Sequence, residues 1–236
     1  MKFNFFSRKS REVSAVEAVD KIQLDRSKIE LQRQIIASMA ELIETRGDGR
    51  GLHVKRTSGF VWILASAAKD AGYHKDELND ETIAQMVLCS VLHDVGKIMI
   101  PDAILNKPGK LTEEEFVIMK KHAVIGGKLA REIMGSQKES YQNMAEEIAT
   151  YHHEMWNGHG YPTGASGEDI PLSARIMAIV DVFDALVSPR VYKKAMDPQA
   201  ALSIILADAG THFDPTLAQL FYQKKKDILA LIEDVQ

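Results

Sequence analysis

Residues 84–96 read AQMVLCSVLHDVG, and the spacing of their apolar side chains gives the first indication of the fold. The apolar positions fall at i, i+3, i+4, i+7 and i+8, as in a helix that buries one face: Ala84, Val87, Leu88, Val91 and Leu92. A histidine and an aspartate, His93 and Asp94, follow directly, and Gly96 then interrupts the helix. The pattern predicts a core-facing helix that ends at two polar side chains.

The rest of the 236-residue chain has the same character. Helical periodicity runs through residues 144–152 and 176–187, and no alternating stretch of useful length predicts a β-strand. Thr112 and Glu115 have the spacing of a capping box. An aspartate precedes a proline, as at a helix start, at two further positions, Asp197-Pro198 and Asp214-Pro215. We therefore predict an all-α fold.

Composition excludes several classes of protein. With 45% apolar and 26% charged residues the chain resembles a globular protein, and its net charge of −4 argues against a DNA or RNA partner. The single cysteine, Cys89, excludes an internal disulfide framework and fits a reducing compartment. No apolar run reaches the roughly 18 residues that span a bilayer, and the N-terminus lacks the apolar core of a secretory signal. We therefore expect a cytoplasmic protein without a membrane span.

The longest segment without helical periodicity runs from Trp156 to Ile170 and contains four glycines and Pro162. Irregular segments of this length are uncommon in compact domains and are often functional. This one follows a pair of adjacent histidines, His152 and His153. We therefore predict a functional loop at this place.

Isoleucines recur at intervals of seven near the N-terminus, at Ile22, Ile29, Ile36 and Ile43. Two interpretations stay open, because only about three heptads are present: a coiled-coil helix that forms a homodimer, or an amphipathic helix packed on its own domain. We divide the chain into an N-terminal tail and helix, residues 1–47, and one domain, residues 48–236. Regulation then comes from dimerisation through this helix or from a signalling protein partner.

Seven side chains of metal-ligand type stand at positions that a helical fold brings together: His53, His93, Asp94, His122, His152, His153 and Asp181. Charged groups inside a helical core need partners, because an unpaired buried charge is costly. Asp181 shares its helix face with a second carboxylate, Asp184, and with the small residues Ala178 and Ala185, which leave room for an ion. Each residue alone also fits a hydrogen-bonded core or surface role. Their co-occurrence favours a metal site.

Three segments resemble the HD-GYP phosphodiesterases of bacterial signalling, a branch of the HD-domain metal-dependent phosphohydrolases. They are HDVGK at His93–Lys97, HHEMWNGHGYP at His152–Pro162 and PLSARIMAIVDVFDAL at Pro171–Leu186. A two-residue HD motif is common by itself, whereas HHE and GYP within one short loop are specific. The resemblance covers residues 50–220 approximately. It implies an HD-domain helical bundle with an extra N-terminal helix and a long GYP loop.

The resemblance also implies a metal centre. His53, His93 and Asp181 match the ligands of one ion, and three histidines match the ligands of the second: His122, His152 and His153. Asp94 matches the aspartate that bridges the two. The implied cofactors are two divalent metal ions, with iron or manganese favoured.

Catalytic and substrate-binding residues follow from the same resemblance. Asp94 and Lys97 are the implied catalytic residues, and Lys97 matches a lysine that contacts the scissile phosphate. Further residues are assigned to the substrate side: Gly160, Tyr161, Pro162, Asp184, Arg190 and Lys193. The implied reaction is hydrolysis of cyclic di-GMP to pGpG, to GMP, or to both.

Two departures from the family pattern leave alternatives open. Members with three metals have a glutamate four residues before the first histidine, where this chain has Gly49, so we predict two ions. Asn157 stands where the family often has an aspartate, which bears on substrate preference and rate. One alternative is a catalytically weak module that binds a nucleotide or a signalling partner. The other is an HD phosphohydrolase acting on another nucleotide phosphoester.

Overall fold

The computed structural model describes residues 27, 30–31, 34–43, 53–189 and 195–235. The chain divides into two compact units, Met1–Ser38 and Met39–Gln236. Within the described ranges the secondary structure is helical, without strands, and the β-type pairing is a single isolated bridge between Ala209 and Phe213. The predicted all-α fold is confirmed.

Nine α-helices follow one another from His53 onward in the described part of the chain. They are α1 (His53–Asp70), α2 (Asp80–Ser90), α3 (Asp102–Leu105), α4 (Glu113–Ile133), α5 (Glu139–Tyr151), α6 (Leu172–Val187), α7 (Pro198–Ala207), α8 (Pro215–Gln223) and α9 (Lys225–Asp234). Two short 3-10 helices, Val95–Met99 and Gly167–Asp169, lie in the connections after α2 and before α6. Before residue 44 the described residues are also helical.

The helix starts agree with the capping signals in the sequence. Thr112 and Glu115 form the predicted capping box at the start of α4. Asp197 and Asp214 accept backbone hydrogen bonds at the starts of α7 and α8, and each is followed by a proline in the first turn. These ends are therefore fixed by local chemistry.

The expected buried stripe on α2 is wrong except at Leu92, which is fully buried and follows the end of the helix. Ala84 is exposed, and Val87, Leu88 and Val91 are only half-buried. The buried residues of this helix include polar ones: Ile83, Gln85, Met86, Cys89 and Ser90. Because α2 packs against both α1 and α5, and because Gln85 and Ser90 lie within its buried face, the apolar residues alone misplace the centre of that face.

Helix α6 lies at the centre of the domain. It packs against α1, α5, α7 and α8, and the predicted core residues Ile176, Ile179, Val180 and Phe183 are fully buried. The ring of Phe183 meets Phe60 and Phe221 edge to face, with ring centroids 5.2 and 5.1 Å apart. Few positions on this helix reach solvent: the side chain of Asp181 is 18% exposed and that of Asp184 only 2%. Both carboxylates therefore depend on partners within the protein.

Gly96 allows the 3-10 helix after α2 to approach α4 closely. A Cβ atom at this position would lie 2.0 Å from the carbonyl oxygen of His122 and 2.6 Å from the amide nitrogen of Gly126. Only a residue without a side chain fits there. The contact sets the position of His93 and Asp94 relative to His122.

The N-terminal helix is described only in part. Ile36 and Ile43 are buried, whereas Ile22 and Ile29 lie outside the described residues. The division at residues 47 and 48 stays a prediction. No helix in the described ranges is long and apolar enough to cross a membrane.

Candidate metal centre

Two groups of metal-ligand side chains meet in the core of the domain. One group is Asp94, His122, His152 and His153, and the other is His53, His93 and Asp181. Within each group the candidate ligand atoms all lie within 4.8 Å of one another. The structure thus brings together all seven residues that the sequence singled out, from helices α1, α2, α4, α5 and α6 and the segments that follow them.

Backbone carbonyls orient the histidine rings. The Nδ1–H of His93 donates to the Ser90 carbonyl at 2.9 Å, and that of His122 donates to the Met119 carbonyl at 2.7 Å. His152 makes the same kind of contact with the Ala149 carbonyl at 3.0 Å. Because a carbonyl only accepts, the proton of each neutral ring lies on Nδ1, and Nε2 presents its lone pair to the centre.

The Nε2 atoms converge on one another and on Asp94. His122 Nε2 lies 3.1 Å from His153 Nε2, and His53 Nε2 lies 3.4 Å from His93 Nε2. The two oxygens of Asp94 face different groups. Its Oδ1 is 3.3 Å from His122 Nε2, and its Oδ2 is 3.3 Å from His93 Nε2. Asp94 therefore stands between the two groups, as a bridging carboxylate would.

A cation fits these side chains better than hydrogen bonding among them does. Asp94 Oδ1 and His152 Nε2 are fully buried and have no hydrogen-bond partner among the described residues. Buried acceptors without donors are costly, and a metal ion at each group satisfies them. The donor set therefore fits divalent metal ions.

The electrostatics of the centre favour the protonation states that metal ligands need. Burial lowers the pKa of His122 and brings the pKa of His152 to about 4. Burial, with its histidine neighbours, also holds the pKa of His153 well below its usual range. For Asp94 burial acts to raise the pKa, but Lys97, His93 and His122 outweigh it and bring the value well below the usual one. At neutral pH the imidazoles of His122, His152 and His153 are therefore uncharged and Asp94 is a carboxylate.

Asp184, expected on the substrate side, lies beneath His53. Its Oδ2 is 2.6 Å from His53 Nδ1, and Arg56 donates from Nε to Oδ1 at 2.6 Å and from Nη2 to Oδ2 at 3.1 Å. Arg56 also donates to Ser188 Oγ at 2.6 Å. The carboxylate side chain is only 2% exposed, so these groups, rather than solvent, surround it.

This arrangement gives Asp184 a positioning role in the structure. Burial acts to raise its pKa, but the hydrogen bonds from His53 and Arg56 lower it below the usual value, so the group is a carboxylate. A carboxylate on Nδ1 fixes the ring and turns Nε2 inward. Sequence reasoning missed Arg56, although its position three residues after His53 on α1 places both on one helix face. Substrate contact by Asp184 stays a prediction.

Lys97 lies at the edge of the centre. Its ammonium group contacts Oδ2 of Asp94, and a third of its side chain is exposed. The lysine lies on the 3-10 helix Val95–Met99, three residues after Asp94. A cation held against the bridging carboxylate and open to solvent is placed to meet an anion that enters from outside.

Glu154, the acidic residue of the HHE motif, holds the loop that follows it, a role that the sequence does not indicate. Its side chain is buried, and Oε1 accepts from the amides of Thr163 and Gly164 at 2.7 and 3.1 Å and from the Thr163 hydroxyl at 2.8 Å. Gly160 crosses the Glu154 backbone so closely that a Cβ would lie 2.4 Å from the Glu154 Cα. The loop is thereby folded back over the centre.

Tyr161 covers one side of the metal centre. Its amide donates to the His153 carbonyl at 3.2 Å, and its ring stacks on that of His153 with centroids 4.7 Å apart. Burial raises the pKa of its hydroxyl, which is therefore neutral. Pro162 follows it across a cis peptide bond. Gly160, Tyr161 and Pro162 thus lie in a loop beside the centre, and substrate contact by them stays a prediction.

Several expected site residues cannot be placed. Arg190 and Lys193 lie outside the described residues, as does Gly49. The remaining histidines His74, His159 and His212 belong to neither group of candidate ligands.

Comparisons with known proteins agree with this geometry. A family described as HD domain matches residues 30–217. The chain is 42% identical, over 89% of its length, to a "Probable cyclic di-GMP phosphodiesterase" from Vibrio cholerae, and 42% identical, over 79%, to the cyclic di-GMP phosphodiesterase response regulator RpfG from Xanthomonas campestris. It is 38% identical, over 86%, to 3'3'-cGAMP-specific phosphodiesterase 2 from V. cholerae. The matches cover 47%, 46% and 36% of these relatives, so the chain spans less than half of their length.

Two solved structures share the fold. One is a cyclic GMP-AMP-specific phosphodiesterase of V. cholerae, V-cGAP3, with a TM-score of 0.59 and 18% identity over 87% of this chain and 51% of that one. The other is an HDG"Y"P protein from Bdellovibrio bacteriovorus, with a TM-score of 0.54 and 19% identity over 76% of this chain and 54% of that one. At these identities the likeness concerns the fold alone.

Proposed function

This chain belongs to the HD domain family and to its HD-GYP branch, and from that premise we propose that it is a metal-dependent phosphodiesterase that hydrolyses cyclic di-GMP to pGpG, GMP or both. The observation that carries the proposal is the convergence of imidazole Nε2 atoms on the two oxygens of Asp94. A bridging carboxylate between two sets of ligands is the arrangement of a two-metal hydrolase.

The ligand assignment follows the two groups of side chains. We propose that His53, His93 and Asp181 hold one divalent ion, and that a second is held by three histidines, His122, His152 and His153. Asp94 belongs to both. When bound, such a pair of ions supplies a hydroxide nucleophile at neutral pH and neutralises charge on the phosphodiester. Nitrogen-rich ligands with carboxylates favour transition metals over magnesium or calcium, and the family resemblance favours iron or manganese.

The protein's own residues complete the chemistry. Hydrolysis adds water to the phosphorus and breaks the bond to the 3' oxygen, which leaves as a hydroxyl and needs a proton. Lys97, in contact with Asp94 and one-third exposed, is placed to donate a hydrogen bond to a phosphoryl oxygen. The rim of Tyr161 limits the access of water from one side. Arg190 and Lys193 stay predicted contacts to the substrate phosphates.

One experiment tests the proposed activity directly. Protein purified without oxygen and loaded with iron or manganese is incubated with cyclic di-GMP, and the products are separated by chromatography. We expect pGpG or GMP, and we expect Asp94→Asn to abolish turnover, with Asp169→Asn, an exposed carboxylate outside the centre, as control. No turnover by the metal-replete wild type would contradict the proposal.

Two alternatives have specific support. Relatives named as 3'3'-cGAMP phosphodiesterases favour a related cyclic dinucleotide or another phosphoester as substrate, which a substrate panel decides. Asn157 favours a weakly catalytic signalling module, because its side-chain oxygen accepts from the His159 amide and carries no charge. Tight binding of cyclic di-GMP without hydrolysis would support that module.

We also propose that the N-terminal helix pairs with a second copy. Exposed apolar side chains in the first unit support this: Leu31 and Ile35 are 57% and 50% exposed. Ile35→Glu should shift the mass measured by light scattering to that of the monomer, whereas Gln34→Glu should not. An unchanged mass for the first variant would exclude this interface. A cytoplasmic location and a signalling protein partner stay predictions.

A further inference from the structure

We propose that Phe116, Lys120 and Tyr161 form a base platform beside the metal centre, and that it binds a guanine base of the substrate. This inference rests on the proposed function, since it names how the same site recognises its nucleotide. The three residues come from helix α4 and from the loop after α5. The base platform is separate from the candidate metal ligands.

The two aromatic rings lie at the mouth of the centre. Their centroids are 6.1 Å apart with an angle of 82° between the ring planes. The Tyr161 ring stacks on His153, and its centroid lies 6.5 Å from that of the His122 ring. The Tyr161 ring is therefore in contact with candidate metal ligands. Phe116 is 46% exposed. An exposed phenylalanine next to a polar, charged centre offers a face on which a flat apolar group stacks.

Lys120 supplies the polar part of the platform. It follows Phe116 by one helical turn, and its Nζ lies 5.3 Å from the Phe116 centroid and 5.8 Å from the Tyr161 centroid. Among the described residues it makes no hydrogen bond or ion pair. The ammonium group thus has two ring faces as neighbours and its N–H donors remain available to an acceptor on a ligand.

These groups fit a purine better than other parts of a cyclic dinucleotide. Each base is joined to the scissile phosphodiester through one ribose, so a base lies next to the metal centre whenever the phosphodiester occupies it. Stacking on aromatic rings is possible for any base. Lysine only donates hydrogen bonds, and guanine presents two acceptors, O6 and N7, on one edge, whereas adenine pairs N7 with an amino donor. The platform therefore favours guanine over adenine.

Kinetics on paired substrates test the proposal. The reference substrate is an abasic phosphodiester of two riboses joined 3' to 5', which has neither a base nor an aromatic ring, and the metal-loaded full chain is used throughout. For Phe116→Ala we expect the ratio of kcat/KM for cyclic di-GMP to that for the reference to fall about tenfold, mainly through KM. Phe116→Trp, which keeps a ring, should retain the ratio. For Lys120→Met we expect the preference for cyclic di-GMP over cyclic di-AMP to fall about tenfold.

Neighbouring residues on α4 serve as controls. Val117→Ala and Lys121→Met change exposed side chains directly next to those tested, and neither should alter these ratios. If Phe116→Ala and Lys120→Met lower turnover of the base-free diester by the same factor as that of cyclic di-GMP, the residues only support the loop and the proposal is overturned.

A spectroscopic measurement separates this proposal from the proposed function. A cyclic dinucleotide that carries 2-aminopurine loses fluorescence when its base stacks, and stopped-flow mixing records this before turnover. We expect quenching with the wild type and about tenfold weaker binding with Phe116→Ala. If the wild type quenches the probe through Phe116 but hydrolyses no cyclic dinucleotide, the proposed activity fails and the platform stands. Equal quenching by both proteins overturns the platform, whatever the activity.

Discussion

Replacing Asp184 by asparagine tests whether a buried carboxylate controls one half of the metal centre. The substitution keeps the shape of the side chain but removes the charge that His53 Nδ1 and the Arg56 guanidinium both contact at 2.6 Å. Loss of such an orienting partner typically weakens metal binding by about 10- to 100-fold, which corresponds to about 1.4–2.7 kcal/mol. Only the ion that we propose at His53, His93 and Asp181 should be affected.

The same substitution also leaves a charged guanidinium without its anion. Removing one partner from a fully buried ion pair costs about 3–5 kcal/mol. Because the Arg56 side chain is 15% exposed and also donates to Ser188, we expect a smaller loss in the free energy of unfolding, about 2–3 kcal/mol. Urea titration of the metal-free protein measures this loss.

The assay counts metal ions per chain by elemental analysis after dialysis against a graded series of chelator concentrations. Wild-type protein should lose its two ions over a similar range, whereas Asp184→Asn should lose one ion at about 10- to 100-fold lower chelator concentration. Asp169→Asn is the matched control, since it removes an exposed carboxylate that lies outside the centre. If Asp184→Asn binds both ions with wild-type affinity, Asp184 has no positioning role. If both ions bind more weakly by the same factor, the role of Asp184 is not restricted to one of the two ion sites.

Three further predictions follow from the geometry. Gly96→Ala should lower the free energy of unfolding by about 3 kcal/mol, because the added Cβ would lie 2.0 Å from the His122 carbonyl oxygen. Urea titration measures this loss, and an unchanged midpoint would show that the two segments separate easily. In the metal-free protein the pKa of His152 is about 4 when folded and about 6.5 when unfolded, so the free energy of unfolding is constant above pH 6.5 and falls by roughly 3 kcal/mol as the pH drops to 4. His152→Gln should flatten this part of the pH profile measured by urea titration. An equally steep profile would contradict the assignment. Glu154→Ala should speed amide hydrogen exchange at Thr163 and Gly164 by at least about tenfold, because these amides lose their acceptor. In Glu154→Gln the two amides should stay largely protected. Slow exchange in both variants would show that the loop is held by other contacts.

Much of the fold could be predicted because its signals are local. A capping box such as Thr112 with Glu115 needs only residues three apart, and it is present at the start of α4. The stripe on α2 could not be placed by the same reasoning, because which face is buried depends on α1 and α5, which pack against it from different sides. Gln85 is buried there although its type predicts exposure.

The candidate site depended on a different kind of information. Residues 53, 93–94, 122, 152–153 and 181 are separated by at least 28 residues at every step, and no periodicity predicts that they meet. The family resemblance supplied their association, and the structure brings them together. Groups that act through other residues carry weaker signals. In the sequence Arg56 looks like any other charged helix residue, and only the structure shows its hydrogen bond to Asp184.

Diffraction from crystals grown without oxygen, with anomalous data collected at the iron and manganese edges, measures the central claim most directly. We predict two anomalous peaks, both in contact with the Asp94 carboxylate, one among His53, His93 and Asp181 and one among His122, His152 and His153, at ligand distances of about 2.0–2.2 Å. A metal-replete crystal with a single peak, or with peaks away from Asp94, would contradict it.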